Sequence, residues 1–410
     1  LFGDMARLRP RKREHIEVGI DDERGEVKSK YFKTDPSVEK VKEEKSLLPI
    51  EEPVDVEWIK TLNSAEYFKW ITKVTDDRPE HWNEPLNPDI FLNRPEGAPP
   101  LPENFIPIYT RVRLMRSKIK TPVDSVGCAA IPITVSAKCD ISLDAISPKN
   151  YRLQLLVALM LSAQTKDELN AQAMLNLIRY CIDELHIPQG LTLEALLKID
   201  EKVLVNLIRT VGFHNRKAHY VKQTAKILVE QFQSDIPTDL VGILSLPGVG
   251  PKMGLLALQR AWGKMDGIGV DVHVHRLCNM WGWVSKKCKT ADHTRKDLES
   301  WLPKPLWYEI NPLLVGFGQV ICMSRGKRCD LCLANDICND VDKKVMIKAA
   351  QEKRSDERMR KRPNRGDFSQ WLDYLAKEDK SFKVIDSEEV AKPLDEGFAL
   401  IKKDPDGDLT

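Results

Sequence analysis

One amine, one carboxylate and four thiols stand in settings that suit chemistry. Lys252 follows a turn-like run in LPGVGPKMGL (246–255). A lysine amine is a nucleophile once it is neutral, and it forms Schiff bases at carbonyl carbon. Asp271 comes nineteen positions later, in GIGVDVHVHRLC. Taken alone it is an N-cap for the helix that follows. Facing a lysine, it would also stabilise cationic charge. Cys322, Cys329, Cys332 and Cys338 lie in CMSRGKRCDLCLANDIC with the spacing C-x6-C-x2-C-x5-C. Four thiolates this close can hold a tetrahedral zinc or an iron–sulfur cluster; two disulfides are the third option. The first gap carries Arg325, Lys327 and Arg328, cations suited to phosphate. The cysteines at 128, 139, 181, 278 and 288 show no ligand spacing and read as packing residues.

The elements around Lys252 decide what its turn can do. TDLVGILSLPGVGPKMGLLALQRAW has helical potential on both sides of LPGVG. The first helix is predicted to end near Ser245. The second should begin at Pro251, where proline is welcome as the first helical residue. Gly248 and Gly250 permit positive φ and leave backbone N–H groups bare. Bare amides ahead of a helix form an anion nest that takes a DNA phosphate without reading a base. A nucleotide P-loop would need G-x-x-x-x-G-K then Ser or Thr after a buried strand. Here a helix precedes the turn and Met253 follows the lysine, so the P-loop is rejected. A plain helical hairpin with a solvated lysine stays open on this stretch alone.

The wider chain is helical. RLQLLVALMLSAQ (152–164) is apolar on every side, as in a helix buried inside a bundle. KAHYVKQTAKILVEQF places Ala218, Val221, Ala225, Leu228 and Phe232 on one stripe. Helix breaks recur at Gly190, Gly212, Pro237 and Gly267–Gly269. The expected class is therefore all-α, built from packed helix pairs. ENFIPIYTRVRLMRSKI (103–119) can form a helix, while VGCAAIPITVSAKC (126–139) reads as a β-branched loop or short strand. Residues 56–102, rich in tryptophan and proline, read as an irregular, partly packed lead-in. Residues 1–55 are charge-rich and read as disordered. Within them RLRPRKR (7–13) is either a solvated tail or a nuclear import signal. The tail from 341 is charged, and residues 366–410 suggest no chemistry. With 410 residues, 42% of them apolar, the chain can bury a large core. A net charge of +2 does not by itself reveal a nucleic-acid partner. No stretch reaches the length of a membrane span.

Together these features resemble the endonuclease III family of DNA glycosylases. LPGVGPK, VDVH and the four cysteines stand in the family's order, and LSAQTKD (161–167) and VGFHNRKA (211–218) match further motifs. The resemblance covers about 103–340, and the basic start and long tails look like the fungal nuclear members that keep the cluster. It implies a two-lobed helix–hairpin–helix glycosylase fold with disordered tails. A six-helix barrel would span 145–265. A lobe bearing a 4Fe-4S cluster would join 103–144 to 266–340, with DNA in the cleft between lobes.

The resemblance implies that Lys252 is the nucleophile and Asp271 its partner. The damaged nucleotide would be flipped out of the duplex, because C1′ is unreachable inside it. The neutral amine would attack C1′ and expel the base, and the resulting Schiff base would drive β-elimination of the 3′ phosphate. Burial and the positive end of its own helix favour the neutral amine. Gln164 and Phe213 match positions that fill the gap left by the flipped base. A smaller aliphatic side chain is common at the second, so Phe213 departs from the pattern; an aromatic there would stack. The expected substrate is double-stranded DNA with an oxidised pyrimidine, a ring-opened purine or an abasic site. A monomer in the nucleus is expected, with the mitochondrion second. An 8-oxoguanine-type enzyme shares the lysine but lacks the cysteines. An adenine-specific relative has the cluster but not the lysine. A non-catalytic DNA-binding hairpin would need neither Lys252 nor Asp271.

Overall fold

Apolar residues at helical spacing shape the chain from its first described segment. Tyr67, Phe68 and Ile71 are buried along α2 (Ser64–Val74), which follows the short α1 (Val56–Thr61). The computed structural model describes residues 54–74, 78–92, 94, 97–351 and 366–378. The expectations for 1–53, including the basic run 7–13, lie outside the described residues. The same holds for most of the C-terminal tail.

Next come α3 (Phe105–Lys118), α4 (Pro122–Val126) and α5 (Ile131–Ala137). The long α6 (Pro148–Ser162) is buried at every position from Tyr151 to Leu161. Ser147 caps it, its hydroxyl accepting from the Asn150 N–H, and Pro148 sits at its start. Around α6 lie α7 (Asp167–Asp183), α8 (Leu193–Lys198), α9 (Glu201–Leu207), α10 (His214–Gln231), α11 (Leu240–Leu244) and α12 (Pro251–Trp262). The predicted stripe on α10 is real: Ala218, Val221, Ala225 and Leu228 are buried. The chain continues through α13 (Val272–Met280), α14 (Ala291–Trp301), α15 (Trp307–Val320), α16 (Lys343–Gln351) and α17 (Ser369–Glu378). Among the described residues there is no strand, only an isolated bridge between Lys120 and Asp367. No described helix is long and apolar enough to cross a membrane.

Two hydrophobic cores divide the described chain into two lobes. The first gathers α1, α2 and α5 through α12, ending at Trp262. The second gathers Trp82, Leu86, α3, residues from Ile268 onward, and Phe368, Trp371 and Leu375 from the α17 region. The all-α, two-lobed architecture is as the motifs imply, with three differences. Residues 56–102 are not simply irregular: α1 and α2 are regular and join the first core, while Trp82 joins the second. Residues 126–139 are not a strand. Ile131 and Val135 fall on one face of α5 and pack into the first core, and this burial overrides their β preference. That also moves the lobe boundary from 144 back to between Ile119 and Ile131. Finally, the stretch 366–378 carries the helix α17 (Ser369–Glu378), with Trp371 fully buried and the helix packed on α3.

The lobes are tied where they meet. Gln319 Nε2 on α15 donates to Asp167 Oδ2 at the start of α7, 2.7 Å. Its Oε1 accepts from the Val123 N–H of α4, 3.0 Å. Gln259 Nε2 on α12 donates to the Tyr308 carbonyl, 2.9 Å.

Candidate active site between the lobes

The LPGVG hairpin is built as its sequence implies. Asp239 caps α11, accepting from the Gly242 N–H at 2.9 Å, and α11 ends with Ser245 as its C-cap. Leu246 and Val249 are buried under the turn, and α12 starts at Pro251. The two glycines differ, however. Gly248 has φ +74°, a conformation that favours glycine, while Gly250 has φ −104° and ψ 173°, ordinary extended backbone. The positive-φ expectation therefore holds for Gly248 and fails for Gly250. A Cβ at Gly248 would lie 2.3 Å from Cδ2 of Tyr220, whereas a Cβ at Gly250 would meet open space. Among the described residues neither N–H has an acceptor, while the Val249 N–H bonds to Leu246 O at 3.2 Å. The turn thus presents unpaired amides beside the N-terminus of α12, where the helix dipole favours an anion.

Lys252 lies in the first turn of α12, half-buried, and lines a cavity of about 560 Å3. Asp271 lines the same cavity from the other side, as the N-cap of α13. Its Oδ1 accepts from the His273 N–H at 2.9 Å and the Val274 N–H at 2.8 Å. The capping and site-lining readings of Asp271 are therefore compatible, since the cap fixes where the carboxylate points. Gln164 also lines the cavity. It has φ +51°, an unusual conformation for glutamine, at the turn after α6. Phe213, with φ +58°, does not line the cavity; it is 55% exposed just before α10, with the Arg216 guanidinium 5.4 Å from its ring centroid. The structure thus brings Lys252, Asp271 and Gln164 together and leaves Phe213 outside as an exposed aromatic.

Sequence reasoning missed several lining residues. Cys128, read as a packing residue, lines the cavity. Burial pushes its thiol up to about 11, with the Lys252 charge acting in the opposite sense. Asp167 and Gln319 line it as well. Asp167 closes the LSAQTKD motif and so carried a signal; Gln319 sits in an apolar helix and carried none.

The four cysteines at 322–338 converge on a second, small cavity with Trp281 and Phe317 among its walls. All nine cysteines of the chain are free, so the disulfide option is not realised. Among the described residues, no three His, Cys, Asp or Glu side chains stand close enough together to hold one ion. Burial raises Cys322, Cys329 and Cys332 above the ordinary thiol value, Cys329 to about 11. Sulfur acceptors are already served: the Asp342 N–H donates to Cys329 Sγ at 3.3 Å. Arg276 on α13 bonds to the Cys322 carbonyl, 2.5 Å. Cys322, Cys329 and Cys332 are buried and Cys338 half-buried, and four thiolates so placed need such donors and a compensating cation. The basic loop differs from its sequence reading. Lys327 is paired with Asp340, and Arg328 with Asp330 at 3.0 Å, because acidic residues follow closely in the chain. Of the three cations, Arg325 is the exposed one.

Residues 157–304 match the family described as HhH-GPD superfamily base excision DNA repair protein. Endonuclease III homolog 2 of Saccharomyces cerevisiae is 55% identical over 369 residues, covering 89% of this chain and 95% of that protein. The chain belongs to the endonuclease III family. Endonuclease III homolog 1 of the same yeast is 52% identical over 297 residues, 71% of this chain and 74% of that one. Endonuclease III-like protein 1 of Mus musculus is 44% identical over 249 residues, 59% of this chain and 77% of that one. Membership makes this family member a base excision repair DNA glycosylase.

Proposed function

We propose that the chain is a bifunctional DNA glycosylase and abasic-site lyase acting on oxidised pyrimidines, with Lys252 as nucleophile. The observation that carries this is that Lys252 on α12 and Asp271 at the start of α13 line one cavity. Lys252 Nζ attacks C1′ of a flipped nucleotide; the C1′–N bond breaks and its electron pair leaves with the base. The sugar ring opens to a Schiff base. Loss of a C2′ proton then breaks the C3′–O bond and releases the 3′ phosphate, and water frees the lysine. Asp271, aimed by its two capping bonds, takes up the lysine proton and faces the positive charge that develops at C1′. The Gly248–Gly250 turn holds a backbone phosphate, and Gln164 and Phe213 occupy the space the nucleotide vacates. Ring-opened purines fit the same chemistry.

Cys322, Cys329, Cys332 and Cys338 would hold a 4Fe-4S cluster, which supplies structural cross-linking of the second lobe. Their C-x6-C-x2-C-x5-C spacing supports this, and all four are among the residues that line one small cavity. Arg325 then stands on a pinned loop facing phosphate. Residence in the nucleus as a monomer belongs to the same proposal and rests on the sequence alone.

The test is a duplex carrying a single thymine glycol, with released base and cleaved strand measured separately. Both should appear at matching rates, with the strand ending in a β-elimination product. Base release without strand cleavage would remove the lyase half of the proposal.

A further inference from the structure

Gln164, on the cavity wall, and Phe213, exposed outside it, both hold left-handed backbone that non-glycine residues rarely adopt. Such conformations persist when their surroundings over-determine them. Here the two turns are tied to each other. Lys217 on α10 is 7% exposed, and its Nζ donates to Leu161 O and Ala163 O, both at 2.7 Å, and to Thr165 Oγ1 at 3.1 Å. The two carbonyls belong to the end of α6, where the helix dipole attracts a cation. Thr165 Oγ1 donates to Ala163 O at 3.2 Å and also accepts from the Gly212 N–H at 3.1 Å. Its one donor and two acceptor sites are therefore all used. Gly212 adjoins Phe213, and a Cβ on it would approach Gln164 O to 3.1 Å. The Lys217 N–H in turn bonds to the Phe213 carbonyl, 3.0 Å.

We propose that Lys217 and Thr165 form a buried knot that positions Gln164 and Phe213 jointly, so that both residues enter the opened duplex as one rigid unit. Lys217 is a positioning residue: it touches no substrate and acts through the two turns. Burial lowers its ammonium to about 8, a cost that a merely peripheral lysine would avoid by staying solvated. The proposal rests on the functional reading above.

The experiment separates duplex opening from the later chemistry. Lys217→Met removes all three side-chain donors. Thr165→Val cuts the link to Gly212 while leaving the Lys217 bonds to the α6 carbonyls. Full-length protein is mixed with a duplex bearing thymine glycol beside 2-aminopurine, whose fluorescence rises on unstacking. A second duplex carries a preformed abasic site, which needs far less opening. Both variants should lose the fluorescence rise and release base about tenfold or more slowly. Abasic-strand cleavage should fall by less than about threefold. Lys217→Arg should restore part of the opening. If Lys217→Met does not fold, Thr165→Val decides. Wild-type opening in a folded Thr165→Val, or equal losses on both duplexes, overturns the proposal. A wild-type protein inactive on both duplexes overturns the functional reading, and this inference with it.

Discussion

Replacing each hairpin glycine by alanine should give opposite results, although the two lie two residues apart. At Gly248 the methyl meets two penalties. Alanine at φ +74° costs about 1–2 kcal/mol. The new Cβ would sit 2.3 Å from Tyr220 Cδ2 and 2.9 Å from Cε2, so a half-buried ring must move. Overpacking of that kind costs about 1–3 kcal/mol. Together, Gly248→Ala should lose about 2–5 kcal/mol. At Gly250 φ is ordinary and the space is open, so alanine should shift stability by under about 1 kcal/mol. Its methyl instead stands where a phosphate would approach the free amides. Gly250→Ala should therefore melt like the wild type and bind duplex DNA more weakly. Urea titration followed by the fluorescence of nine tryptophans measures stability, and anisotropy of a labelled abasic duplex measures binding. Equal stability of the two variants would refute the steric argument. Wild-type binding by Gly250→Ala would refute the phosphate cradle.

Three further outcomes follow from other parts of the molecule. Burial acts to raise the Glu309 carboxyl, but bonds from His81, Trp82 and Tyr109 and the Arg113 charge outweigh it, holding it below its ordinary 4.5. That stability is fully present above pH 4.5 and is lost as pH falls through the lower folded value. Glu309→Gln should thus be destabilised at pH 7 by about 3–5 kcal/mol, with the gap to wild type narrowing below pH 4.5 in acid titrations. Trp371→Ala should cost about 3–5 kcal/mol, read as a lower urea midpoint, because the side chain is fully buried against the second core. Cys332→Ser should lose bound iron and the brown colour by metal analysis and visible absorbance, and full iron content in that variant would count against the cluster.

Much of the site was legible because its signals are local. Proline and glycine mark the ends of α11 and α12 within a few residues, and Lys252 inherits its place from them. Asp271 reads as a cap from its neighbours alone. What was not legible depends on partners far along the chain. Gly248 and Gly250 look alike in sequence, and the Tyr220 ring, on another helix, separates them. The segment around Trp371 is surrounded by charge, and its burial requires the face of α3. Ile131 and Val135 carry β preference, and the first core turns them into a helix face. Lys217 sits in a basic run in VGFHNRKA, and nothing local shows that the end of α6 encloses it. The pairing of Lys327 with Asp340 was within reach of a charge count along the loop.

The most direct test of the account is covalent capture at Lys252. Duplex DNA containing thymine glycol is incubated with the protein in the presence of borohydride, which reduces a Schiff base to a stable amine. The account predicts a protein–DNA adduct that maps to Lys252 by peptide mass spectrometry and is absent from folded Lys252→Ala. No adduct from the intact protein, or one that persists in Lys252→Ala, would contradict it.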